Sequence, residues 1–192
     1  MPAVVHAFAQ QHPDVHVRLQ TLSTPQLREG LLHGQFDLAL STTPMHHPQL
    51  DASTLHRSNA VCVLHPAHPL AARSALHVRD LQDQVLLTLH TDDEIYLQLK
   101  GTMEQHGIAA ASTVETTYSA TICMLAAQGT GVGVVNPYIA SVFAQQLRSL
   151  PLLPRCPVEV VLAFAPQSAP STMAEHFATL LQNHFQDLPG GA

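Results

Sequence analysis

The residues able to do chemistry in this chain are small and polar, and they recur at one kind of place. Ser23 and Thr24 follow the alternating run Val15–Leu19, and Ser41, Thr42 and Thr43 follow Phe36–Leu40. Thr91 and Asp92 follow Val85–Leu89, Thr116, Thr117, Tyr118 and Ser119 follow Ser112–Glu115, and Asn136 follows Val132–Val135. Each run reads as a strand. In open α/β sheets, ligands bind beyond the carboxyl ends of strands. Hydroxyls there, beside the free N–H groups that open a helix, suit a small anion or zwitterion. Taken singly, each residue reads equally well as a helix cap or turn residue. Clusters after five strands, divided between two α/β units, favour a shared cleft site.

Other chemistries find less support. Gly129-Thr-Gly-Val-Gly133 has the look of a dinucleotide loop, but its glycines precede a strand instead of following one. His46-His47 and His65/His68 have no Cys or carboxylate at ligand spacing, so the histidines read as scattered surface groups, with no metal and no cofactor expected. Ser, His and Asp are too numerous for their presence to signal a triad, and no nucleophile elbow or phosphate-binding loop occurs. No catalytic residue is assigned, and the chain reads as a non-enzyme. Cys62, Cys123 and Cys156 sit among apolar neighbours, which predicts buried free thiols in a reducing cytoplasm.

Composition narrows the class further. Of the 192 residues, 46% are apolar and 11% charged, against about 25% charged in ordinary soluble domains. The formal charge is −6, and the 14 histidines would take it to −6 + 14 = +8 if all were protonated. The apolar content excludes a disordered chain. Eight Lys and Arg residues spread along the sequence make no phosphate-neutralising cluster, so direct nucleic-acid contact is not expected. The low charge density predicts large buried surfaces: a core, a partner interface, or both. The apolar stretch near Gly129–Ala144 is too short and too broken to span a bilayer, and Met1–Gln10 has no basic region of a signal peptide.

The positioning elements follow from periodicity and punctuation. Helices are expected from Val4 to His12, from Thr24-Pro25 to Gly34, from Glu94 to Gln105, after the loop Thr116–Ser119 through Ile122, Leu125 and Ala126 to Gly129, from Tyr138 to Gln146 and from Met173 to Phe185. Strands are expected at Val15–Leu19, Phe36–Leu40, from Leu55, at Ala60–His65, Val85–Leu89, Ser112–Glu115, Val132–Val135 and Val158–Ala165, with a short helix at Val78–Gln82. Leu152–Pro157 reads as a linker, Gln167–Pro170 as a turn, and Pro189–Ala192 as a disordered tail. Helix and strand alternation predicts parallel sheets covered by helices.

These residues also carry a resemblance. Pro2, Phe8, Pro13 and Val15, followed by Leu31-x-x-Gly34-x-x-Asp37-Leu-Ala, resemble the opening of the effector-binding domain of LysR-type transcriptional regulators. His68-Pro-Leu-Ala with Leu81, and Leu125-Ala-Ala-Gln-Gly-Thr-Gly-Val-Gly-Val-Val-Asn-Pro137, look like that family's crossover and glycine-rich segments. Glu115-Thr-Thr-Tyr-Ser-Ala-Thr-Ile-Cys123 with Asn136-Pro137 is most similar to the branch that regulates octopine and nopaline catabolism.

The resemblance implies an α/β fold of two Rossmann-like subdomains joined by two crossing strands, as in type 2 periplasmic binding proteins. Residues 1–63 with 164–192 would form one subdomain and residues 64–163 the other. A small amino-acid-like, opine or other carboxylate effector would bind in the cleft between them. The matching positions are Ser23, Thr24, Thr91, Asp92, Glu115, Thr117, Tyr118, Ser119 and Asn136, and Thr42 joins them as a candidate from the cluster after Phe36–Leu40. Homodimers are implied, and tetramers in a full regulator. Relative to the family pattern, the winged helix-turn-helix that contacts DNA and the first strand of the effector domain precede nothing in this sequence and are expected to be missing. A free-standing solute-binding protein of the same fold, a small-molecule enzyme on two α/β units, and a dimerisation module with a vestigial site are the competing readings.

Overall fold

In the computed structural model, which describes residues 1–166 and 170–188, the local signals fix most elements. The chain opens with α1 (Pro2–Gln11). Ser23 and Gln26 then form a capping box ahead of α2 (Thr24–Leu32), with Pro25 in its first turn. Strands β1 (Leu38–Ser41), β2 (Asp51–Asn59), β3 (Val61–Leu64), β4 (Leu76–His77) and β5 (Val85–Leu89) follow. Asp93 caps α3 (Glu94–Gln105) by accepting from the Ile95 and Tyr96 N–H groups, and Gly107, at φ +65°, ends its last turn. Next come β6 (Ser112–Thr116), α4 (Ser119–Ala127), β7 (Val132–Val135), α5 (Pro137–Val142), β8 (Arg148–Leu153), β9 (Pro157–Phe164) and α6 (Thr172–Gln186).

These elements form two compact units. One comprises Met1–Arg57 and the chain from Glu159 onward, the other Ser58–Val158. The chain passes between them inside β2 and again inside β9. In the first unit the strand order is β1-β9-β2, with β1 antiparallel to β9. Leu31, Ala39, Met45, Val161 and Ala163 form a core where α2 covers the sheet. Helix α6 buries Ala174, Phe177, Ala178, Leu181 and Phe185, a stripe at helical spacing. Phe177 meets Phe8 of α1 edge-on at 5.1 Å.

The second unit is a six-stranded sheet in the order β4-β8-β3-β7-β5-β6. Strand β5 is parallel to both β6 and β7, whereas β3 is antiparallel to β7 and β8. All four residues of β7 are buried. The glycines around β7 serve packing: a Cβ on Gly133 would lie 2.2 Å from Ile122 Cγ2 of α4. Helix α4 sits that close to the sheet because no side chain intervenes.

Several expectations change. Val15–Leu19 forms no strand: Val15 and Val17 are half-buried and His16 and Arg18 exposed, but the segment pairs with no strand among the described residues. Arg148–Leu153, partly read as linker, is a strand between β4 and β3 with Leu150 and Leu152 buried. The helix expected to reach Gln146 stops at Val142. Val78–Leu81 is a 3₁₀ turn. The expected turn Gln167–Pro170 falls mostly, and the expected tail Pro189–Ala192 wholly, outside the described residues. The unit boundaries at Arg57/Ser58 and Val158/Glu159 lie ahead of the positions 63/64 and 163/164 read from the sequence.

The three thiols are buried and free. Burial pushes Cys62 up to about 12 and Cys123 and Cys156 up to about 11, so none is a nucleophile near neutrality. The histidines are less scattered than expected. His12 Nε2 and His176 Nδ1 lie 2.6 Å apart and join α1 to α6. Burial lowers the pKa of His68 and His184 below the ordinary histidine value. On acidification the unfolded chain therefore takes up these protons before the folded one does. Stability from these groups is full above a pH of about 6.5 and declines as pH falls below it. A series of thermal melts across that range should show a falling Tm; a Tm that holds or rises would contradict the assignment.

Candidate functional site

Helix α2 and strand β1 assemble the first set of polar groups. The capping box spends Ser23 on Gln26: the Ser23 N–H and hydroxyl both donate to Gln26 Oε1, at 3.1 and 2.9 Å. That leaves Thr24, at the first helical position, facing the end of β1. Its Oγ1 lies 2.5 Å from Thr43 Oγ1 and 3.3 Å from Ser41 Oγ. Ser41 and Thr43 close the triangle at 3.0 Å, and the Thr43 N–H donates to Ser41 Oγ. Ser41 is buried, while Thr24 and Thr43 are half-buried. Three hydroxyls that bond one another can each rotate to present a proton to an incoming oxygen. Thr42, the expected member, is half-buried between two cluster residues, but the cluster is built by Ser41 and Thr43.

The second set lies at the carboxyl ends of β5 and β6. Their parallel register pairs Thr88 with Glu115. His90 directly follows the end of β5. His90 Nδ1 lies 3.5 Å from Asp92 Oδ2, and His90 Nε2 lies 3.9 Å from Glu115 Oε1. All three side chains are about half exposed or more. Thr88 is only 4% exposed, and its hydroxyl has no hydrogen-bond partner among the described residues. An unpaired buried hydroxyl is costly, and such a group in a native fold calls for an explanation.

The remaining expected residues divide. Thr91 and Thr117 are exposed, and Tyr118, 47% exposed, precedes Ser119, the first residue of α4. Asn136 is buried, and its Oδ1 accepts from the Ile139 N–H at 2.9 Å, capping α5. Sequence reasoning grouped Ser41 and Thr43 with Thr42 but assigned only Thr42, and it did not single out Thr88 or His90. Among the described residues no cluster of three His, Cys, Asp or Glu has the disposition to hold a metal ion.

Each of the two units carries polar groups after the carboxyl ends of its strands. The LysR substrate binding domain family matches residues 1–186. This chain belongs to that family. Among curated relatives, regulatory protein NocR of Agrobacterium tumefaciens is 25% identical over 190 residues, 98% of this chain and 63% of that protein. The transcriptional activator protein LysR of Escherichia coli is 31% identical over 145 residues, 75% of this chain and 46% of that protein. The chain thus spans less than two thirds of these regulators. Among solved structures, the CcmR regulatory domain of Synechocystis in complex with 2-PG superposes with a TM-score of 0.81 at 18% identity, covering 98% of this chain and 92% of that one. The BenM effector binding domain with its effector benzoate gives 0.74 at 21% identity, covering 100% and 90%. The fold is the periplasmic-binding-protein-like α/β fold of LysR effector-binding domains. These relatives are transcriptional regulators, and no helix among the described residues is long and apolar enough to cross a membrane.

Proposed function

We propose that this LysR-family domain senses a small amino-acid-like or carboxylate compound. The observation that carries this reading is the mutually bonded hydroxyl triangle of Thr24, Ser41 and Thr43 beside the opening turn of α2. Hydroxyl donors and a helix N-terminus favour a carboxylate. In the second unit, Asp92 and Glu115 are carboxylates suited to an ammonium or guanidinium group, and Thr91, Thr117, Tyr118, Ser119 and Asn136 are the other polar residues after its strands. The domain reports occupancy by favouring one arrangement of paired subunits, which requires different affinities for two states. Homodimerisation, a DNA-binding winged helix elsewhere in the full regulator, and a cytoplasmic location belong to the same reading.

Calorimetric titration with amino acids, opines and simple dicarboxylates tests it. Thr24→Val and Ser41→Ala each remove a donor to the carboxylate. Each should weaken the best ligand by about 10-fold, as expected for one hydrogen bond to a charged group. Unchanged affinity in both variants, or in Glu115→Ala for a cationic ligand, rejects the corresponding role.

A further inference from the structure

The fold brings together one pair of histidines that the sequence holds far apart. His12 ends α1 and His176 lies in α6, 164 positions away, yet His12 Nε2 is 2.6 Å from His176 Nδ1. The ring planes stand at 89° with centroids 4.8 Å apart, so the rings meet at their nitrogens instead of stacking. Other histidines are spent locally: His47, His65, His68, His77 and His90 each use Nδ1 to accept the N–H two residues ahead. Both rings of the pair are half-buried, and Phe8 lies against them, 4.7 Å from His12 and 5.1 Å from Phe177. The local charge favours a cation. Neither α1 nor α6 carries a Lys or Arg, Glu175 adjoins His176, and His12 sits at the negative end of α1. All of these residues belong to the first unit.

We propose that His12 and His176 form a two-imidazole site for a divalent ion of the zinc type, which staples α1 to α6. Imidazole nitrogen suits zinc, copper and nickel, whereas magnesium takes oxygen ligands. Without metal, one ring proton bridges the two nitrogens. Ligation moves that proton to the same ring's other nitrogen, so both facing lone pairs reach the ion and no net proton is gained or lost. Two zinc–nitrogen bonds of about 2.0–2.1 Å at a tetrahedral angle place the nitrogens about 3.3 Å apart. The rings, now at 2.6 Å, reach that spacing by swinging apart through roughly 0.7 Å. Water completes the coordination, since no group of three His, Cys, Asp or Glu among the described residues is placed to hold a metal. The ion binds the packed helices better than a chain whose two histidines are separated, so binding adds to the stability of the first unit. The site does not involve the hydroxyl triangle and stands apart from the effector reading.

The test is a set of thermal melts of the 192-residue chain with and without zinc chloride, at about pH 7.5, where histidine is mostly neutral. Zinc in about tenfold excess over its half-saturating concentration should raise Tm by about 3–6 °C, and magnesium should leave it unchanged. Hydrogen exchange should slow in peptides from α1 and α6 and stay as it was in β5, β6 and β7. His12→Gln and His176→Gln should each lose most of both responses, judged against the same variant without metal. His6→Gln and His16→Gln, at exposed histidines on either side of His12, should keep them. Where a ligand variant does not fold, the parent decides: the nitrogen NMR resonances of His12 Nε2 and His176 Nδ1 should shift together as zinc is added. A zinc response that survives His12→Gln and His176→Gln, or that disappears equally in His6→Gln or His16→Gln, marks adventitious binding by surface histidines and overturns the site. So does a parent whose His12 and His176 resonances stay fixed throughout the titration.

Discussion

Gly131→Val should abolish the folded second unit, and Gly131→Ala should already lower its stability steeply. A Cβ at Gly131 would lie 2.3 Å from the Val85 carbonyl oxygen and 3.0 Å from Val85 Cβ. The obstacle is backbone, held in place because Val85 is paired with Ser112 of β6. No rotamer change relieves that contact; β5 and the segment leading into β7 must move apart in the middle of the sheet. Overpacking of this kind costs about 1–3 kcal/mol for a small group and more for a branched one, against a total of about 5–15 kcal/mol. Alanine should therefore lower Tm by roughly 5–10 °C, at about 2–4 °C per kcal/mol for a chain of this size. Valine should give no cooperative transition. Gly101 is the internal control. It lies within α3 with open space around its Cα, so Gly101→Ala relieves a helix-propensity penalty of about 0.5–1 kcal/mol and should raise Tm. A Gly131→Ala protein that melts with the parent would show that β5 and β7 are more loosely joined than the packing implies.

The contrast between these two glycines shows what a sequence can disclose. Gly107 and Gly129, at φ +65° and +77°, end α3 and α4 and are readable as stop signals, because helix termination is local. The bounds of α3 and of β7 were legible for the same reason: Asp93 caps the first, and Asn136-Pro137 ends the second. Strand pairing is not local. Val15–Leu19 alternates as a strand should, yet alternation only marks which side chains can be buried; a strand also needs a neighbour to take its hydrogen bonds. Conversely, Arg148–Leu153 contains Pro151, a residue that argues against an inner strand, but β3 and β4 flank it on both sides. The site follows the same rule. Thr24 was legible because Ser-Thr-Pro announces a helix start. Which of Ser41, Thr42 and Thr43 meets it depends on the turn after β1, and three adjacent hydroxyls carry no signal about that. His90 meets Glu115 only through the β5–β6 register, so composition presented it as one histidine among 14.

Leu181→Ala should strike the other unit with comparable force. Leu181 is fully buried in α6, on the stripe with Phe177, Ala178 and Phe185. The first unit rests on a three-stranded sheet, and α6 covers a core to which α1 adds Val4 and Phe8. Removing three carbons from such a position costs the lost transfer energy plus the cavity left behind, about 2–5 kcal/mol. Each unit has its own buried cluster, so the loss should appear locally before it appears globally. Hydrogen exchange should accelerate in peptides from β1, α1 and α6, with peptides from β5, β6 and β7 retaining the parent's protection. The hydroxyl triangle is built on β1 and α2, so carboxylate affinity should fall in the same variant although Leu181 lies on neither element. Uniform loss of protection across all of these strands would mean that the chain unfolds as one cooperative block. Unchanged protection in β1 and α1 would mean that α6 does not hold the first unit together.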